Sequence, residues 1–128
     1  MILDSSAILS ILLRDQGWGA LSDKITSAEI VGIGAPTLVE AAIVLSSRVG
    51  RDASALIARF LREAEAEIIP FTSEHYEVAR DAFLRFGKGR HRAALNFGDC
   101  LTYAVARLAG LPLLFTGGDF SQTDIVSG

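Results

Sequence analysis

Four short apolar runs, at residues 1–4, 30–33, 68–71 and 113–116, are separated from one another by stretches of helical periodicity. Uniformly apolar strands want cover on both faces, and strands alternating with helices pair most simply in parallel. The pattern predicts a three-layer α/β domain around a parallel sheet. Helices are expected over 5–13 and 18–25, and from Pro36, a residue favoured at a first helical turn, to about 49. Asp52 is placed to cap the next helix, which carries Leu56, Ile57, Phe60 and Leu61 at helical spacing. A helix capped by Ser73 runs to 86 with Tyr76, Val78, Ala79, Ala82 and Phe83 inward, and another runs from Asp99 to 108, stopped by Gly110. In sheets of this kind the binding crevice opens at the carboxyl ends of the strands.

The 128 residues fit one domain spanning 1–128, large enough to bury a core without disulfides. Cys100 is the only cysteine, so no internal disulfide can form, and it reads as a small core residue. Half the residues are hydrophobic and 21% are charged, which excludes a disordered chain. No apolar run approaches the roughly 18 to 20 residues that span a bilayer, and the start lacks a signal-peptide pattern. A cytoplasmic protein with no membrane partner is expected. The net charge of −3 argues against a broad electrostatic nucleic-acid binder. Any such contact must be local, or must use cations to offset acids.

Four acids stand where a core protein has little use for them. Glu40 lies among Leu38, Val39, Ala41, Ala42, Ile43, Val44 and Leu45, in a helix apolar nearly all round. Such a helix is expected to be buried, and a lone buried carboxylate is costly unless paired or bound to a metal. Asp4 ends the first strand, Asp99 opens a helix, and Asp119 follows two glycines after the last strand. Singly, each reads as a cap or turn residue. Ser5 or Ser6 can cap in place of Asp4 and leave it facing the crevice. Together the four can converge on one sheet edge, none with an obvious basic neighbour. Clustered carboxylates repel unless protons or cations intervene, and hard oxygen ligands suit Mg²⁺ or Mn²⁺. That combination points to phosphodiester hydrolysis.

The segments MILDSSAIL, APTLVEAAIVL, LNFGDCLTYAVARL and LLFTGGDFSQTDI resemble the ordered motifs of PIN-domain ribonucleases, closest to the VapC-type toxins of toxin–antitoxin pairs. The resemblance covers essentially the whole chain. It implies a PIN-like α/β/α domain with a central parallel sheet of four to five strands. It implies that Asp4, Glu40, Asp99 and Asp119 are catalytic and hold Mg²⁺ or Mn²⁺, with Asp4 and Asp99 most direct. It also implies a homodimer, a cognate antitoxin whose arginine-bearing tail enters the groove, and an RNA substrate such as transfer RNA.

The hydroxyls of Ser6 and Thr116 are candidates to orient carboxylates from behind. Lys88, Arg90, His91 and Arg92 form the one basic cluster and lead towards Asp99, so Lys88, Arg90 and Arg92 are candidates for the RNA backbone, which positions without reading sequence. Arg14 is a weaker candidate for the same task. Asp124 reads as a capping or ion-pairing residue. His75 and His91 accompany no cysteine pair, which disfavours zinc. Phe60, Phe71, Tyr76, Phe83, Phe86 and Tyr103 sit at core-like spacing and suggest no stacking platform. A phosphatase of the paired-aspartate kind needs an acid where Ser6 stands, and a receiver domain needs paired acids and a lysine that are missing. The remaining alternative is a catalytically silent PIN-like module that binds RNA or protein. Loss of an acid would mark it, and all four are present.

Overall fold

The computed structural model describes all 128 residues. In chain order the elements are β1 (Ile2–Leu3), α1 (Ser5–Leu12), α2 (Trp18–Ser27), β2 (Gly32–Gly34), α3 (Ala35–Val49) and α4 (Ser54–Ala64). There follow β3 (Glu67–Ile69), α5 (Ser73–Phe86), α6 (Phe97–Ala109), β4 (Leu113–Leu114) and a 3-10 turn, Phe120–Gln122. The strands form one parallel sheet in the order β3-β2-β1-β4. The three-layer α/β/α architecture expected from the sequence is present, with four strands.

Alternate residues of the strands face opposite layers. Ile2 and Leu113 point into a core shared with Ala79, Ala82 and Phe86 of α5 and Tyr103 and Val105 of α6. Leu3, Ile33 and Leu114 pack on the other face against Ala7 and Ile8 of α1, Ile25 of α2 and Phe60 of α4. Gly34 lets α6 approach the sheet, because a Cβ there would lie 2.8 Å from the Val105 side chain.

Several boundaries differ from the expected ones for local reasons. β2 starts two residues late, and ahead of it the Met1 ammonium donates to the Ile30 carbonyl at 2.7 Å. β3 stops at Ile69, before Pro70, which has no N–H to extend a ladder. It is an edge strand, and Ile68 is exposed rather than covered. Thr72, not Ser73, caps α5, in a reciprocal pair with the His75 ring. Asp52 accepts from the N–H of Ser54 at 2.9 Å just ahead of α4. The buried stripe of α5 follows Ala79, Ala82 and Phe86, so Tyr76 and Phe83 fall outside it and are exposed. The guanidinium groups of Arg80 and Arg90 lie over those two rings. Asp124 is an ion-pairing residue, accepting from the Tyr103 hydroxyl at 2.7 Å and Arg85 at 2.9 Å, which hold its carboxyl below the usual range against the opposing effect of burial.

Candidate active site

The chain runs from β1 outward to β2 and β3, then crosses to β4 on the other side of β1. The strand order therefore reverses between β1 and β4, and in sheets of this kind the binding crevice lies beyond the carboxyl ends of the strands at that point. Asp4 leaves β1 there, and the turn after β4 carries Asp119. Asp4 is 5% exposed. It caps α1 itself, the role its position before the helix first suggests, and neither Ser5 nor Ser6 caps in its place. Its Oδ2 accepts from the N–H of Ser6 at 3.2 Å and from the Ser6 hydroxyl at 2.5 Å. Both bonds use one oxygen. Oδ1 takes no protein donor, and it is not sealed from solvent.

Ser6 is placed behind Asp4 as expected. Thr116 contributes differently, since its backbone N–H, not its hydroxyl, donates to Ser6 Oγ at 3.1 Å. A relay from β4 to Ser6 to Asp4 thus locks the two strand ends together.

Glu40 requires a larger correction. α3 is not buried all round, because Val39 and Ile43 are 58% and 62% exposed and only Thr37, Ala41 and Leu45 are buried. The helix straddles a rim, touching α1 on one side and α6 on the other. Glu40 is half-buried at that rim, and its Oε1 accepts from the Ser5 hydroxyl at 3.1 Å. The apolar sequence around it reflects an exposed flank rather than full burial.

Asp99 lies in the first turn of α6, which begins at Phe97 rather than at Asp99. Asn96 caps the helix, and the two side chains satisfy each other's backbone. Asp99 N–H donates to Asn96 Oδ1 at 2.9 Å, and Asn96 N–H donates to Asp99 Oδ2 at 3.1 Å. Again one carboxylate oxygen, Oδ1, remains without a protein donor. Burial pushes the Asp99 carboxyl up to about 6, opposed by the Asn96 hydrogen bond and reinforced by the negative charges of Asp4, Asp119 and Glu40. All four acids therefore share one electrostatic field. Asp119 is the exposed member, with no side-chain hydrogen bond.

No lysine or arginine pairs with any of the four, since every ion pair in the molecule involves Glu63, Asp81 or Asp124. As placed, no three side chains form a ligand set for one ion. Each of the three better-buried acids has one oxygen committed to a protein donor and one free, so the group shares a crevice rather than a chelate. The donor set, four carboxylates and no nitrogen or sulfur, fits a hard divalent cation.

Two supports carried no clear signal in the sequence. Gly98 lies between the α6 cap and Asp99, and a Cβ there would stand 2.8 Å from Glu40 Oε2. The missing side chain lets the Glu40 carboxylate rest against the positive end of α6. The buried hydroxyls of Thr37 and Thr102 meet at 2.9 Å, pinning α3 to α6. Thr37 is three residues before Glu40 and Thr102 three after Asp99, one helical turn in each case. Thr37→Val or Thr102→Val alone leaves a buried hydroxyl unpaired and is expected to cost about 1–3 kcal/mol in denaturant unfolding. The double Val variant should recover most of that loss. A hydroxyl inside an apolar helical run is the clue that sequence offers, and it is a weak one.

The basic loop closes beside α6. Gly87 bridges to Leu95, and Lys88 N–H donates to the Leu95 carbonyl at 3.0 Å. Lys88 and Arg92 are exposed without acidic partners, while Arg90 Nε donates to the Leu84 carbonyl at 3.3 Å. Arg14 falls elsewhere. α1 runs back from the crevice, so its far end lies at the opposite edge of the sheet, where Arg14 stacks on Trp18 at 4.6 Å. Both line a groove of about 910 Å³ together with Ile11, Ile25 and Phe60, and that groove contains none of the four acids. Cys100 is buried, and its thiol is pushed up to about 11 by that burial, as suits a core residue.

A family model described as the PIN domain matches residues 1–126. Ribonuclease VapC36 of Mycobacterium tuberculosis is 44% identical over 126 residues, covering 98% of this chain and 91% of the relative. Ribonuclease VapC of Mycolicibacterium smegmatis is 35% identical over 127 residues, covering 99% and 98%. Among solved structures, VapC20 of Mycobacterium tuberculosis, a sarcin–ricin loop cleaving toxin, superposes with a TM-score of 0.80 at 22% identity. That match covers 99% of this chain and 97% of the other. A toxin–antitoxin complex from Klebsiella pneumoniae gives 0.73 at 16% identity, covering 99% and 95%, and at such identities both matches speak for the fold alone. With the family model matched over residues 1–126 and VapC36 44% identical over 126 residues, the chain belongs to the PIN-domain family, among the VapC ribonucleases.

Proposed function

We propose that the chain is the toxin of a toxin–antitoxin pair, an endoribonuclease that hydrolyses RNA at the crevice of Asp4, Glu40, Asp99 and Asp119 with Mg²⁺ or Mn²⁺. One observation carries this reading. Four carboxylates meet at the switch point of the sheet, and no basic side chain neutralises any of them. Gathered acids without basic partners repel one another, and a divalent cation relieves that repulsion.

Asp4 and Asp99 each offer a free Oδ1 from a carboxylate whose other oxygen is fixed, so both are held for direct coordination. Ser5 orients Glu40, and Ser6 orients Asp4. Asp119 closes the site from the β4 side. A bound divalent ion supplies Lewis-acid polarisation of the phosphate and makes water a better nucleophile. Lys88, Arg90 and Arg92, exposed in the loop that leads into α6, are assigned to the RNA backbone. Hydrolysis by water breaks the bond from phosphorus to the 3′-oxygen, which leaves protonated as a hydroxyl.

The fragments should carry 5′-phosphate and 3′-hydroxyl ends, appear with Mg²⁺ or Mn²⁺, and vanish with EDTA. End-labelling of digested RNA reads this, and 2′,3′-cyclic phosphate ends would refute it. A homodimer, a cognate antitoxin and a cytoplasmic setting complete the proposal. No helix is long and apolar enough to cross a membrane.

A further inference from the structure

Asp119 is the least restrained of the four acids. It is exposed, its side chain makes no hydrogen bond, and Gly117 and Gly118 precede it. Gly117 has a φ of +84°, and a pair of glycines leaves the link from β4 little stiffness of its own. Restraint on Asp119 has to come from the chain that follows it, and that chain is well tied. Phe120 is buried, with its ring 5.2 Å from that of Phe115. The Thr123 hydroxyl donates to the Phe120 carbonyl at 2.7 Å and accepts from the Ile125 N–H at 3.2 Å. Between them stands Asp124, gripped from three sides. Its Oδ1 accepts from the Tyr103 hydroxyl at 2.7 Å, while Oδ2 meets Arg85 at 2.9 Å and Arg107 at 3.9 Å. Tyr103 is 1% exposed, so the carboxylate is anchored to the core and not only to other surface charges. Asp99, Tyr103 and Arg107 are spaced four residues apart on α6, which stacks them along one face. Segment 119–124 meets that stripe at both ends. The Asp119 charge acts on the Asp99 carboxyl at the top, and Asp124 holds Tyr103 and Arg107 in the turns below.

We propose that the clamp of Tyr103, Asp124 and Arg85 is a positioning device for the cation site, fixing Asp119 at its working distance from Asp99. The proposal rests on the cation-site reading above. Asp124 acts through the backbone of the turn and takes no direct part in the chemistry. Outer partners of this kind decide how well a ligand meets its metal, and their loss typically costs about 10- to 100-fold in affinity.

The test uses Asp124→Ala and Tyr103→Phe, each in wild type and in an Asp119→Asn parent. Asp124 is exposed, and Tyr103→Phe keeps its ring in the core, so both proteins should fold. Hydrogen exchange over residues 115–123 is read by mass spectrometry in EDTA, and Mn²⁺ affinity is read by calorimetry. Both variants should exchange roughly tenfold faster over that segment, with residues 2–12 unchanged. Asp124→Ala should weaken Mn²⁺ binding by about tenfold or more, and Tyr103→Phe should do so to a smaller extent. In the Asp119→Asn parent neither substitution should change Mn²⁺ affinity by more than about twofold, because the group they position is already lost. Unchanged exchange over 115–123 overturns the proposal. Faster exchange with undiminished Mn²⁺ affinity does so too, since the clamp then serves the fold alone. So does an equal loss of affinity in the Asp119→Asn parent, since the effect then bypasses Asp119. A wild-type protein that binds no Mn²⁺ refutes the cation-site reading, whereas exchange in EDTA decides separately whether the clamp restrains the turn that carries Asp119.

Discussion

Asp99→Asn should reduce RNA cleavage by on the order of a thousandfold while leaving the folded protein intact or slightly more stable. The two effects have opposite signs for one reason. In the folded, metal-free protein the Asp99 carboxyl is raised from 3.8 to about 6, chiefly by burial and then by its three acidic neighbours. A raised carboxyl binds more protons when folded than when unfolded. Its ionised form therefore opposes folding above about pH 6, and that opposition fades as the pH falls from 6 towards 4. Asn keeps the acceptor for the Asn96 N–H and removes the charge. Because Asp99 is partly solvated, the relief is worth about 1 kcal/mol after screening, reduced further by the lost attraction to the helix N-terminus. In EDTA at pH 7.5 the melting temperature should stay level or rise by a few degrees. The difference from wild type should close at pH 4 to 5, as melts across that range will check. A loss of several degrees would mean that Asp99 serves the fold and not the chemistry.

Gly98→Ala should separate the same two properties at a position that bears no functional group. Alanine is the better helix former by about 1 kcal/mol, so α6 should tolerate or welcome it. The new Cβ would stand 2.8 Å from Glu40 Oε2 and 3.1 Å from Oε1. The obstructing atoms are the end of a long side chain, which can swing away at little cost to the fold. Glu40 would then leave both the Ser5 hydroxyl and the crevice. Cleavage should fall about 10- to 100-fold, the usual consequence of displacing a group that supports a metal site. Thermal unfolding should be unchanged or later. Undiminished cleavage would show that Glu40 need not lie against α6.

Much of this arrangement is legible in the sequence, because its strongest signals are local. Apolar runs alternating with amphipathic stretches determine the layers, and three of the four acids sit at a helix start or beyond a strand end that their neighbours mark. Asp4, Asp99 and Asp119 fall where their surroundings place them. Glu40 does so for a different reason from the one its sequence suggests. An apolar helix implies burial, yet Val39 and Ile43 face outward, and periodicity alone does not say which flank the fold leaves uncovered. The same ambiguity hides the exposure of Tyr76 and Phe83, whose spacing resembles that of core residues. Arg14 looks near Asp4 in the chain, but α1 carries it to the far edge of the sheet. Gly98 and the Thr37–Thr102 bond act between α3 and α6, which are distant in sequence. Their roles exist only once the helices are packed.

On the reading proposed above, the four carboxylates are one cation site and cleavage depends on it. Calorimetric titration of Mn²⁺ into wild type, Asp4→Asn and Asp99→Asn, with RNA cleavage followed in the same samples, tests this most directly. In wild type, binding and cleavage should saturate together, and below about pH 6 the half-saturating Mn²⁺ should rise as protons compete at Asp99. Both signals should be lost in the two variants. Cleavage that persists in EDTA, or in either variant without Mn²⁺ binding, would contradict the account.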